Sequence, residues 1–177
     1  LMSGGRMESL VGEPLINVSS ARITPFTANF KRLADVVVSS LAILLLLPVY
    51  AIIALLIKRD SNGPVFYRQE RVGYRKKTFK IIKFRTMRTD AERCGPALSE
   101  ADDPRVTPLG RRLRKYRLDE LPQFWNVLRG DMSLVGPRPE RAYYVDLIVA
   151  RAPYYSLVHQ VRPGITSLGM VKYGYAS

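Results

Sequence analysis

The stretch Val36 to Ile57, VVVSSLAILLLLPVYAIIALLI, carries no charged residue and limits the chain more than any other feature. A straight α-helix of this length would be roughly 33 Å long, enough to cross the hydrocarbon core of a bilayer. It is too long, begins too late and lacks the small-residue site of a cleaved leader. Its flanks work against a simple crossing. Lys31 and Arg32 precede it, and Lys58 and Arg59 follow it. Basic clusters beside membrane helices favour the cytoplasmic side, so both ends ask for the same face. Pro48 sits inside the run, where it removes one backbone donor and kinks a helix. The reading that reconciles these facts is a re-entrant helix–break–helix, broken at Pro48 and returning to the face it entered from. A bent true span and a buried core helix stay open as alternatives.

The rest of the chain is strongly basic. Over 177 residues the formal net charge is +13, with 47% hydrophobic residues. That is a globular composition with an anionic partner: nucleic acid, lipid headgroups or phosphorylated small molecules. One cysteine, Cys94, excludes an internal disulfide, and one histidine, His159, gives little basis for zinc or a serine triad. Both are read as structural.

Residues 1–29 are set aside as a tag remnant and linker, with Leu1 to Met7, LMSGGRM, resembling an expression scar. Residues 30–60 are expected to form the membrane hairpin, and residues 61–177 a separate domain, the one to which the resemblance given below assigns catalysis. Within it, GPVFYRQERVG and TFKIIKFRTM read as two strands joined by a turn at Gly73 to Lys77. Asp90 to Pro108 reads as a loop. PLGRRLRKYRL places Leu109, Leu113 and Tyr116 at helical spacing among arginines, and Asp119 to Leu128 reads as a helix stopped by Gly130. VGPRPE and RPGIT are proline-stiffened turns, each carrying an arginine. The paired tyrosines between Glu140 and Val161 suit either a core or a membrane boundary. The fold class expected is α+β, mainly helical, with interfacial amphipathic helices and a short β-hairpin.

Asp119 and Glu120 stand side by side after this basic stretch. They have a bland reading, with Asp119 as N-cap and Glu120 complementing the helix dipole. They also have a chemical one. A carboxylate held ionised at a helix start can act as nucleophile, and its neighbour can bind a hard divalent ion together with phosphate oxygens. Arginines around the pair suit phosphate.

Taken together, FKRLADVVVS, GPVFYRQERVG, FKIIKFRTM, the long block DPRVTPLGRRLRKYRLDELPQFWNVLRGDMSLVGPRPE and RPGIT resemble the bacterial sugar transferases that are monotopic phosphoglycosyl transferases. The resemblance runs from about Phe30 to Lys172. It implies a UDP-sugar donor and a polyprenyl phosphate acceptor, typically undecaprenyl phosphate. It also implies attack by Asp119 on the sugar-bearing phosphorus, release of UMP, and transfer of the phosphosugar to the lipid. Glu120 matches the family's Mg²⁺ ligand and is counted with Asp119 as catalytic. Lys83, Arg114, Arg138 and Arg162 match positions of phosphate or nucleotide contact, and Arg85 beside them is taken as a further substrate-binding candidate. The resemblance implies residence in the bacterial inner membrane, with the catalytic part on the cytoplasmic face, in polysaccharide or glycoconjugate synthesis. Nucleic acid is not an expected partner, and homo-oligomer formation is left open. The chain departs from the family at Leu47, where serine often precedes the proline, and at Ser167, where glycine is usual. It stops at Ser177, before an expected further amphipathic portion, so residues 61–177 read as truncated. The competing expectations are a membrane-associated glycosyltransferase releasing UDP and a basic membrane-anchored adaptor without chemistry.

Overall fold

A computed structural model describes residues 7–10, 13–16, 24–89, 91, 103–167 and 171. The chain divides into two compact units, residues 1–34 and 35–177. In the first, β1 (Met7–Leu10) pairs antiparallel with β2 (Glu13–Ile16), Met7 opposite Ile16. No hydrophobic period marks this hairpin, which lies in the stretch read as tag remnant and linker. Helix α1 (Pro25–Asp60) begins in this unit, well before the apolar run. Thr24 starts it: its Oγ1 accepts from Thr27 N at 3.3 Å, and Pro25 supplies a preset φ at the first helical position.

α1 is one helix of 36 residues with Pro48 in its interior. The break expected at Pro48 is therefore absent as an interruption of helical structure. Proline deletes only its own N–H, and the turns on either side keep theirs. Beyond Ala34, one face is buried through Asp35, Ser39, Ile53 and Ile57, while Val37, Val38, Leu41, Leu44, Leu45, Leu47, Ile52 and Leu55 are exposed. An apolar surface of this extent is not tolerated in water. It marks α1 as a membrane-associating element, long and apolar enough to cross a bilayer.

The second unit is built around a hairpin. β3 (Phe66–Val72) and β4 (Thr78–Phe84) pair antiparallel, Tyr67 opposite Lys83, through a tight turn at Tyr74–Lys76, as the sequence predicts. Two apolar clusters lie against it. One joins Ile53 and Ile57 of α1 to Phe84 and to Leu113 of α2 (Pro108–Lys115). The other joins Ile81 to Val127 of α3 (Gln123–Arg129) and to Met132. So α1 meets the alternative of a buried core helix halfway: its C-terminal part is core, and much of the rest is bare.

α3 stops at Gly130, whose φ of 87° is the left-handed conformation expected of a glycine cap. β5 (Ser133–Val135) then pairs in parallel with β6 (Gly164–Thr166). Between them run α4 (Ala142–Arg151) and a 3₁₀ stretch, Pro153–Gln160. Cys94 and most of the Asp90 to Pro108 loop lie outside the described residues.

Candidate active site

Asp119 and Glu120 do not start a helix. They occupy a 3₁₀ turn, Leu118–Glu120, entered through Arg117 in the left-handed conformation at φ 58°. The reason is Pro122. It has no N–H to return to Leu118 O, so the chain closes a tighter bond from Leu121 N to Leu118 O, and α3 begins only at Gln123. Asp119 makes no capping bond, which removes the bland reading of the pair.

Both carboxylates are 7% exposed. Lys83 Nζ lies 2.8 Å from Glu120 Oε1, with Arg138 Nη2 at 3.8 Å and Arg117 Nη1 at 3.9 Å from the same oxygen. Burial alone would raise the Glu120 carboxyl, but Lys83, Arg138 and Arg117 together outweigh it and hold it below its ordinary value. Asp119 behaves oppositely. Burial pushes its carboxyl up; Lys83 and Arg114 pull it back, and Glu120 adds to the push. The helix end expected to hold Asp119 is a 3₁₀ turn instead, and burial sets the direction of its shift. Its Oδ1 is buried with no hydrogen-bond partner. A desolvated carboxylate oxygen without a donor is a strong nucleophile once ionised, because nothing has to be stripped from it.

The cations are placed by long-range contacts. Lys83 comes from β4. The free edge of that strand is held by Asn126, a fully buried side chain: Ile82 N donates to its Oδ1 at 3.0 Å, and its Nδ2 donates to Lys80 O at 2.8 Å. The carboxamide stands where a neighbouring strand's peptide would be. Arg114 is set by its Nε donating to Thr86 Oγ1 at 2.9 Å. Arg138 sits between two prolines in a loop fixed on two sides. Arg71 Nη1 donates to Pro139 O at 3.0 Å and pairs with Glu140 at 3.2 Å. On the other side Gly164 N donates to Pro137 O at 2.9 Å. Gly136 and Gly164 touch so closely that a Cβ on Gly164 would lie 2.0 Å from Gly136 N.

Two candidates lie elsewhere. Arg85 is buried, its guanidinium donating to Ser61 O at 2.6 Å and Asn62 O at 2.9 Å, so it ties the end of α1 to β4. Arg162 donates to Gly130 O at 3.1 Å and lies over the Tyr74 ring. Neither is among the groups within 4 Å of Glu120. His159 is buried beside Tyr155, in keeping with a structural part. Asn126, Thr86 and Arg71 were missed in the sequence. A polar residue between Trp125 and Val127 was the one local signal for Asn126.

Among the described residues no group of three or more His, Cys, Asp or Glu converges, so no all-protein metal cage is present. The pair fits a magnesium ion better. Mg²⁺ takes one or two carboxylates and completes its shell with water and substrate phosphate, and Glu120 would supply such a carboxylate while leaving the Asp119 oxygen bare.

Residues 26–177 match the family described as bacterial sugar transferase. The chain belongs to that family. Over 154 residues it is 46% identical to a UDP-N-acetylgalactosamine-undecaprenyl-phosphate N-acetylgalactosaminephosphotransferase of Aeromonas hydrophila, covering 87% of this chain and 36% of that protein. Over 166 residues it is 40% identical to a UDP-glucose:undecaprenyl-phosphate glucose-1-phosphate transferase of Klebsiella pneumoniae, covering 94% and 36%. A Caulobacter vibrioides protein of the same name is 46% identical over 142 residues, covering 80% and 53%. This sugar transferase chain therefore spans from about a third to about half of these relatives' lengths. Their names differ in the sugar, so membership in the family does not fix it.

Proposed function

We propose that this sugar transferase moves a sugar-1-phosphate from a UDP-sugar to polyprenyl phosphate, through a phosphosugar carried on Asp119. The observation that carries the reading is the buried, unpartnered carboxylate oxygen of Asp119, set beside a Glu120 already engaged by Lys83. An Asp119 oxygen attacks the sugar-bearing phosphorus. The bond from that phosphorus to the UMP oxygen breaks, UMP leaves with the electron pair, and an acyl phosphate remains. A phosphate oxygen of the lipid then attacks the same phosphorus, the bond to Asp119 breaks, and the free carboxylate returns with polyprenyl-diphosphate-sugar as product. Lys83, Arg114 and Arg138 face the charge that builds on the phosphoryl oxygens. Glu120 would hold Mg²⁺, which when bound supplies positive charge at the diphosphate.

The same reading places the catalytic unit on the cytoplasmic face of the inner membrane, with α1 bent at Pro48 and re-entrant. Support comes from contacts on both sides of Pro48. Ahead of it, Asp35 Oδ1 accepts from Leu134 N at 3.1 Å; beyond it, Tyr50 OH donates to Leu121 O at 2.9 Å. A helix crossing the bilayer would part from a domain lying on one face. Exposed Tyr143, Leu147, Tyr154 and Leu157 on α4 and the following 3₁₀ stretch suit the headgroup boundary. Tags at the two ends of the apolar run should both report the cytoplasm, and opposite sides would mean a span.

The deciding experiment measures the nucleotide released when protein in nanodiscs meets Mg²⁺, undecaprenyl phosphate and a panel of UDP-sugars. UMP release, abolished in Asp119→Asn, is expected. UDP release would mean transfer of the sugar alone and would remove the nucleophile's role.

A further inference from the structure

A narrow cavity in the catalytic unit is lined by Arg71, Lys83, Gln123 and Arg138, with space for roughly one oxygen-sized atom, about 10 Å³. Gln123, the first residue of α3, is 2% exposed and lines this cavity, and no hydrogen bond joins its side chain to another described residue. Its carboxamide is open to a group bound in the cavity. Its polar neighbours in the cavity are a lysine and two arginines, which offer only donors. What the wall lacks is an acceptor-rich group, and a phosphoryl oxygen is one that the cations also attract. We infer that Gln123 is a substrate-contacting residue whose Nε2–H donates to a phosphoryl oxygen of the donor's diphosphate between Lys83 and Arg138. The inference rests on the proposed function, since it assumes a nucleoside diphosphate at this site. It separates Gln123 from Asn126 on the same helix, whose amide is fully used in holding β4.

The test compares UDP and uridine binding by calorimetry in nanodiscs for the unsubstituted chain, Gln123→Met, Gln123→Glu and Lys83→Met. Unliganded melting midpoints are measured alongside. Gln123→Met keeps the shape and deletes the donor. Its UDP affinity should fall about tenfold or more, as for one lost hydrogen bond to a charged group, with uridine unaffected. Its unliganded midpoint should hold, because no hydrogen bond within the protein is lost. Gln123→Glu puts a carboxylate against the phosphate and should weaken UDP further. Unchanged UDP affinity in Gln123→Met, with a loss in Lys83→Met, would overturn the inference and spare the site. Unchanged affinity in both would remove the phosphate site itself. A lowered midpoint, or a variant that does not fold, would make Gln123 a structural residue and overturn the inference too.

Discussion

Asn126→Ala should disable this protein from a position that touches no substrate. Asn126 is fully buried and satisfies the outer edge of β4 with two bonds, to Ile82 N at 3.0 Å and Lys80 O at 2.8 Å. Truncation leaves both backbone groups unpaired, each at about 1–3 kcal/mol, and adds a small void. A loss of about 3–5 kcal/mol follows, which for a chain of this size lowers the melting midpoint by roughly 10 °C. Lys83, one residue beyond Ile82, loses its fixed position against Glu120, so turnover should fall along with stability. Asn126→Asp sharpens the test. An ionised aspartate can accept from Ile82 N but faces Lys80 O, and Asp131 at 3.3 Å, with another acceptor. Once protonated it regains a donor. Relative to the unsubstituted chain, Asn126→Asp should therefore be markedly less stable at pH 8 and recover towards pH 5, as followed by circular dichroism melts in nanodiscs. A cost below about 1 kcal/mol for Asn126→Ala, or a pH-independent deficit for Asn126→Asp, would refute the strand-edge argument.

Further outcomes follow from the same contacts. Burial raises the Asp119 carboxyl, so the folded state holds that proton more tightly than the unfolded chain. Its contribution to stability therefore falls as pH rises through the raised folded value, and Asp119→Asn should melt higher than the unsubstituted chain at neutral pH. The same shift puts the acid limb of the turnover-versus-pH profile above the ordinary aspartate range, which initial rates across pH would show. Gly164→Ala drives a methyl into the Gly136 backbone and should displace the Arg138 loop, lowering both the melting midpoint and turnover. Arg85→Met should lower the melting midpoint while leaving UDP affinity unchanged, because its guanidinium serves Ser61 and Asn62; weaker UDP binding would return Arg85 to the site.

What could be read in advance was local. The apolar run, the β3–β4 hairpin, the amphipathic α2 and the stop at Gly130 each follow from a few neighbouring residues. The pair Asp119 and Glu120 was visible for its charge, but its conformation was misread, although Pro122 carried the needed clue: a missing N–H three residues on. Thr24 and Pro25 likewise spelled out the start of α1, ahead of the hydrophobic pattern that drew attention. The remaining determinants join distant positions. Asp35 meets Leu134, Arg85 meets Ser61 and Asn62, and Asn126 meets β4. No periodicity encodes such pairings, so a basic residue like Arg85 reads the same whether it serves a ligand or a backbone carbonyl.

The packing of Ile53 and Ile57 against Phe84 and Leu113 bears on how the protein is made. The apolar anchor and the catalytic core share these side chains, so neither is complete without the other. Excising the apolar helix to obtain a water-soluble protein would therefore remove part of the interior on which β4 and α2 rest.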